Sequence, residues 1–264
     1  MMNRVSTGLR TFDSELGGGI PSGGVVVIRA PPAAPIELLL GSFTLAEDVD
    51  GTYVTTLRSP TRVRRALAAC AGARSGSGDV DDVSIVDVRA PLRESPVLVS
   101  TIAEGIGLDL DLDSDDDESS TSDDELGEEG GEASLAHAPD GGSRSPPDAV
   151  DEGVSTPVWV FDSLSDVLEA DADWREFTSA LAEKMESIGG VAYVFLRLAE
   201  DESPTRAEAS VLDIASAVFE YRVDRREDTS HSLSVIRFIG GEPPSRRIPL
   251  EVSERLDVNP DRHM

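Results

Sequence analysis

A single cysteine, Cys70, stands alone in the chain. No internal disulfide can form, and a disulfide-framed fold is excluded. Lysine is as scarce: 22 of the 23 basic residues are arginine, and Lys184 is the one lysine. Any chemistry that needs an ammonium group has one candidate. Aromatic residues make up 5% of the 264 residues, so the core is a lean one. No apolar run approaches the ~20 residues that a membrane-spanning helix needs. The first residues, Met1-Met2-Asn3-Arg4-Val5-Ser6, lack the apolar stretch of a secretory signal. A soluble protein located in the cytoplasm is expected. His137, His231 and His263 are scattered, and with one cysteine they complete no metal set. No Ser/His/Asp arrangement and no Gly-x-Ser-x-Gly elbow is readable. No metal site and no cofactor are expected.

Acid dominates what is there. The chain holds 51 Asp and Glu against 23 basic residues, a formal net charge of -28. That charge disfavours nucleic acid phosphates and anionic membranes as partners. An acid-rich, nearly lysine-free chain fits life in molar salt, where the Debye length is ~3 Å and like-charge repulsion is screened. Halophilic adaptation is the expectation. Residues 109–152 hold 17 of the acids and one base, Arg144. Such a segment buries too little apolar surface to offset its ordering entropy, so a disordered acidic insertion over 109–156 is expected. Asp109, Asp111 and Asp113 mimic a calcium loop, but Ser114 and Ser120 stand where its turn glycine and terminal glutamate belong. Around the insertion, one domain is expected over 1–258, with a short tail at 259–264.

Strands and helices alternate along the rest. Gly24–Ile28, a short β-branched run after a Pro-Ser-Gly-Gly turn, predicts a buried strand. A helix is expected from Pro35 to Asp48, with proline suited to its first turn. Gly51–Thr56 predicts a strand, Pro60–Ala71 a helix with Val63, Leu67 and Cys70 on one stripe, Val83–Val88 a strand, and Pro96–Ile106 a helix. Pro157–Phe161 predicts a strand, with a helix starting at Ser163. Trp174–Ile188 predicts a helix, with Phe177, Leu181 and Met185 or Lys184 inward, and Val191–Leu198 a strand. Ala217–Val223, Ser232–Ile239 and Ser245–Val252 predict three more strands, the first two alternating as an antiparallel hairpin. The fold class that follows is α/β, a doubly wound sheet with a parallel centre and antiparallel C-terminal strands.

The stretch from Ser6 to Val26 is denser in signal. It reads Ser6-Thr7-Gly8-Leu9-Arg10-Thr11-Phe12-Asp13, then Leu16-Gly17-Gly18-Gly19-Ile20-Pro21-Ser22-Gly23-Gly24. It resembles the entry segment of RecA-like ATPases of the KaiC/RadA type, which leads into the first strand and then the phosphate loop. Tyr53-Val54-Thr55-Thr56 before Ser59-Pro60 is similar to that family's second strand and turn. Val158-Trp159-Val160-Phe161-Asp162-Ser163-Leu164 is similar to its Walker B strand, and Ser232–Arg237 to its C-terminal hairpin. The resemblance implies a RecA-like fold over most of the chain outside 109–156.

At the positions that carry the chemistry the chain departs from this family. A phosphate loop reads Gly-x-x-x-x-Gly-Lys-Ser/Thr, with backbone N–H groups cradling phosphates, lysine neutralising charge and a hydroxyl on magnesium. Here the matching stretch is Ala30-Pro31-Pro32-Ala33-Ala34-Pro35-Ile36-Glu37. Pro35 has no N–H to donate, Ile36 stands for the lysine, and Glu37 stands for the hydroxyl. Leu57 and Arg58 stand for the Glu-Glu pair that positions the attacking water. Asp162 alone is kept, and a helix N-cap or a remnant of the outer coordination sphere is the expectation for it rather than a metal ligand. Phosphoryl transfer rests on positioning and electrostatics, so a pseudo-ATPase is expected, with no catalytic residue. Pro35, Ile36, Glu37, Arg58 and Asp162 form its vestigial site. Glu37, Arg58 and Asp162 are expected close together, with Arg58, or else Arg29, filling the vacated place by a salt bridge. Arg58, Arg62, Arg64 and Arg65 also form a small basic cluster, read as relief on an acidic surface, with binding of an anion or an acidic partner surface as the alternative. The function expected is regulation or signalling through protein–protein binding, the partner a paralogous RecA-like ATPase or another copy of the chain. The alternative is a divergent nucleotide-binding ATPase with a non-standard phosphate loop.

Overall fold

A computed structural model of the chain describes residues 3–32, 34–72, 78–89, 102–103, 106–108, 155–165, 174–197, 203–225, 229–241, 244, 247–252 and 256–258. The chain divides into one unit of 1–110 with 153–264 and a second of 111–152. The second unit lies outside the described residues, and with it nearly all of the expected insertion. Of 109–156, only Ser155 and Thr156 are described, and Thr156 already opens a strand.

The described body is built on a nine-stranded sheet. Its elements, in chain order, are β1 (Arg4–Val5), α1 (Arg10–Glu15), β2 (Ile20–Pro21), β3 (Gly24–Ala30), α2 (Ile36–Thr44), β4 (Val49–Thr55) and α3 (Pro60–Gly72). β5 (Ser84–Asp87), β6 (Thr156–Asp162), α4 (Trp174–Ile188), β7 (Val191–Arg197), α5 (Arg206–Ile214), β8 (Ala217–Asp224), β9 (Ser230–Phe238), β10 (Ile248–Val252) and β11 (Leu256–Val258) follow. The order across the sheet is β11-β10-β9-β8-β3-β7-β6-β4-β5. Pairing is parallel from β5 to β8 and antiparallel from β8 to β11. β1 and β2 form a separate antiparallel ribbon.

β3 sits at the middle because its sequence is apolar on both faces. Val25 and Val27 enter one core with α4 and α5, and Val26, Ile28 and Ala30 enter the other with α2 and α3. This is how a strand covered by helices on both sides reads: a run, not an alternation. α4 buries Trp174, Phe177, Leu181 and Met185, each contributing roughly 1.5–3 kcal/mol by leaving water. The stripe runs through Met185, and Lys184 stays half-buried. The few aromatics are concentrated where elements meet: Phe43 of α2 stacks on Tyr193 of β7 at 4.2 Å, and Phe12 of α1 meets Phe219 of β8 edge-on at 5.2 Å.

Several boundaries differ from expectation. α2 stops at Thr44 rather than Asp48, and Asp48 has a left-handed φ of 61° that no helix accommodates. The helix expected from Ser163 is absent at its start: Ser163 has φ 58°, and Leu164 N–H is spent on Phe195 O at 3.0 Å. Residues 166–173 lie outside the described ones. So does most of the helix expected over 96–106, of which 102, 103 and 106 are helical. β1, α1, β2, α5 and β11 were not expected. The last expected strand begins at Ile248 rather than Ser245, and the tail at 259–264 lies outside the described residues.

Candidate functional site

The carboxyl ends of β4 and β6 lie side by side, with Thr55 opposite Asp162 in register. Alternation along each strand settles which side chains meet. Val54 and Phe161 enter the core under α4, so Tyr53, Thr55 and Asp162 face α2. The chain leaves β4 through Thr56-Leu57-Arg58-Ser59 and starts α3 at Pro60. That turn swings Arg58 back over the strand ends.

Arg58 bridges two carboxylates. Its Nη2 donates to Glu37 Oε1 at 2.8 Å, and its Nη1 donates to Asp162 Oδ2 at 3.1 Å. Glu37 comes from the first turn of α2, where a negative charge also favours the helix dipole. The three side chains are graded in exposure: Asp162 0%, Arg58 16%, Glu37 35%. Asp162 takes two more hydrogen bonds. Thr56 N–H donates to its Oδ1 at 2.8 Å, and the Thr55 hydroxyl reaches its Oδ2 at 3.0 Å. The Thr56 hydroxyl lies 2.7 Å from Asp162 O and 2.8 Å from Ser163 O, holding the left-handed Ser163 turn. Arg58 itself is fixed by its backbone: its N–H donates to Thr55 Oγ1 at 3.0 Å, and its carbonyl lies 2.7 Å from the same hydroxyl, whose one proton it shares with Asp162 Oδ2.

The electrostatics follow from burial. Burial pushes the Asp162 carboxyl above the ordinary range, against the lowering effect of Thr56 N–H, Arg58 and Thr55. Burial alone would lower Arg58, but the neighbouring Tyr53, Glu37 and Asp162 hold it above its usual value. Tyr53, beside Arg58, is driven well above its ordinary value, first by burial and then by Asp162. At neutral pH the phenol is therefore neutral, and its acidity plays no part in the site.

The loop from β3 to α2 closes on itself. Ala34 N–H donates to Pro31 O at 2.9 Å, Ile36 N–H to Ala34 O at 2.8 Å, and Leu38 N–H to Pro35 O at 3.2 Å. Pro35, just before the first helical residue, has no N–H. Ile36 is buried in the core shared by α2 and α3.

Of the five residues singled out, the structure brings Glu37, Arg58 and Asp162 together, with Arg58 on both carboxylates at once. Pro35 and Ile36 lie at the start of the same helix, α2. Arg29 does not serve in Arg58's place. It sits on the opposite face of β3, among the side chains facing α4 and α5, with its Nη1 3.7 Å from Glu220 Oε2. Asp162 is not a helix N-cap, because its acceptors are taken by β4 and the turn after it. Tyr53, Thr55 and Thr56 were missed as site residues. Period-two alternation along Tyr53-Val54-Thr55 was the signal that places them beside Asp162. Among the described residues, no group of three or more His, Cys, Asp or Glu is arranged to hold a metal. None of their helices is long and apolar enough to cross a membrane.

A mostly parallel sheet ending in antiparallel strands, covered by helices on both faces, is an α/β fold consistent with that of RecA-like proteins of the KaiC type. The crystal structure of the KaiC-like protein PH0186 from the hyperthermophilic archaeon Pyrococcus horikoshii OT3 superposes with a TM-score of 0.62. It is 15% identical, covering 98% of this chain and 100% of that one. At that identity the likeness concerns the fold. The chain belongs to a family of unknown function (DUF7125), whose model matches residues 4–122 and 132–264. No curated protein matches it.

Proposed function

We propose that this protein is a catalytically inactive RecA-like module that acts in regulation or signalling by binding another protein. The Glu37–Arg58–Asp162 bridge carries the reading. In the ATPases that the chain resembles, the loop between the first strand and helix cradles phosphates through free N–H groups. Here the N–H groups of Ala34, Ile36 and Leu38 are spent within the loop and the first helical turn, and Pro35 has none. The chain's own Glu37 carboxylate takes the place by the helix start that an anion would seek. Arg58 is committed to two carboxylates and so offers little charge to a phosphate. Asp162 is held by Thr56 N–H and Arg58, with the Thr55 hydroxyl proton shared between it and Arg58 O, which leaves it ill placed to support magnesium. These residues do not fit a magnesium–nucleotide pair. The partner we infer is a paralogous RecA-like ATPase or a further copy of the chain, in the cytoplasm of a salt-adapted cell.

Calorimetry in molar KCl with magnesium and millimolar ATP or ADP tests this. No heat of binding is the expected result. A micromolar dissociation constant that Asp162→Asn abolishes would overturn the reading in favour of a divergent nucleotide-binding ATPase.

A further inference from the structure

One stretch of this acidic chain is free of acid. Between Asp50 and Asp79 lie 28 residues without an Asp or Glu, and they include five arginines. A proportional share of the chain's 51 acids would be about five. α3 lies in this stretch. Its buried stripe is Val63, Leu67 and Cys70. Its outer face is Arg62, Arg64 and Arg65, followed by Ala68, Ala69 and Gly72, all exposed.

The arginines do nothing visible for the fold. They occupy the first two turns of α3, where a cation opposes the helix dipole. Among the described residues none of the three side chains meets a carboxylate, and no acid lies within a helical turn of them along α3. Relief of surface charge would act best through ion pairs, and among the described residues these three arginines make none. Arg58, at the head of the same helix, is turned inward and fully engaged, which sets it apart from the other three.

We propose that the outer face of α3 docks an acidic amphipathic helix of a partner protein. Guanidinium groups pair with carboxylates through a planar two-bond fork, and such contact pairs persist where salt screens longer-range attraction. Past the arginines, Ala68, Ala69 and Gly72 make a smooth strip on which a second helix can lie close. A nucleic acid fits this face less well. Three arginines offer few phosphate contacts, α3 has no aromatic residue for base stacking, and the strip beyond is uncharged. The inference rests on the protein-binding part of the proposed function and is independent of whether nucleotide binds.

The test uses the full chain in 0.5 M and 2 M KCl. The probe is a fluorescein-labelled sixteen-residue helix made of four Leu-Ala-Glu-Glu repeats, followed by anisotropy. Saturable binding is expected, weakened at least tenfold in an Arg62→Ser, Arg64→Ser, Arg65→Ser variant. A charge-matched variant, Arg10→Ser, Arg175→Ser, Arg206→Ser, removes three exposed arginines elsewhere and should keep the affinity. Circular dichroism and thermal melting confirm that both variants fold. No binding, equal weakening by both variants, or tighter binding of a sixteen-residue oligothymidylate would each overturn the proposal. So would a dimer, seen by light scattering and lost in the α3 variant, in a chain that ignores the peptide. None of these outcomes bears on the nucleotide calorimetry, so the two readings fail separately.

Discussion

Removing Arg58 should expose what it does for the fold. In Arg58→Ala, Asp162 stays fully buried and loses its one cation. Breaking a buried ion pair from one side costs roughly 3–5 kcal/mol. The low end applies here, because Thr56 N–H and the Thr55 hydroxyl still reach the carboxylate and Glu37 regains water. A loss of about 3 kcal/mol lowers Tm by about 6–12 °C for a body of this size. The loss should depend on pH in a particular direction. Asp162 is already held above the usual carboxylate range by burial, and losing Arg58 raises it further. From an unfolded value of about 3.9 up to the folded value, the native state keeps a proton that the unfolded state has lost. Stability therefore falls as pH rises through that window. The variant has the wider window, so its deficit opens with rising pH and narrows toward pH 4. Urea unfolding at constant 2 M KCl, followed by tryptophan fluorescence, measures this. The Asp162→Asn background supplies the second control, since the cost of Arg58→Ala should shrink there. A loss under about 1 kcal/mol at pH 7, typical of exposed pairs, or a loss unchanged in the Asp162→Asn background, would refute the account.

Two further outcomes follow from the geometry. Gly19 has φ 111°, and a Cβ there would sit 2.3 Å from Val5 O, whereas Gly17 has φ 74° with open space around it. Gly19→Ala should cost at least about 2 kcal/mol and Gly17→Ala about 1 kcal/mol in urea titrations; equal costs would contradict the contact. With a net charge of -28, Tm should climb by about 10 °C or more between 0.1 and 2 M KCl as the Debye length falls from ~10 to ~3 Å. A flat profile by differential scanning fluorimetry would remove the case for salt adaptation.

The fold was legible because its central strands announce themselves. Val25 to Ile28 and Val191 to Leu196 are apolar throughout, and only a strand buried on both faces reads that way. The entry segment was legible for a different reason. Asp13 accepts from Ser6 Oγ at 2.8 Å, from Thr7 N–H at 3.0 Å and from Thr7 Oγ1 at 2.6 Å. Arg4 donates to Leu16 O and Gly19 O, each at 2.8 Å. The dense pattern from Ser6 to Gly24 is thus a staple that ties the first ribbon to α1. It encodes shape. β1, β2 and β11 were missed because strands of two or three residues carry no readable period. α5 was missed although Thr205 and Glu208 form a capping box, with Thr205 N–H donating to Glu208 Oε2 at 2.9 Å. Its signature, Thr205-Arg206-Ala207-Glu208, stood in the sequence.

The site was legible only as charges that could meet, and the backbone decided how. Sequence alone put Arg58 first for the bridge, with Arg29 as the substitute. They part because Arg29 is inside β3, where alternation aims it away from α2, while Arg58 follows the end of β4, where a turn can reverse its direction. The same turn explains why one arginine holds two carboxylates. Thr55 is bonded to both the N–H and the carbonyl of Arg58, which fixes the guanidinium above Asp162 before any side-chain pairing is counted. A buried aspartate at a strand end costs a fold several kcal/mol unless donors surround it. Holding Asp162 there therefore calls for a cation near the strand ends. Lys184 is on α4, across the sheet. Arg58 is the cation that the structure supplies. Glu37 occupies the outer side of the guanidinium and Asp162 the inner, so one arginine serves both carboxylates, and the buried Asp162 depends on it more than the part-exposed Glu37 does.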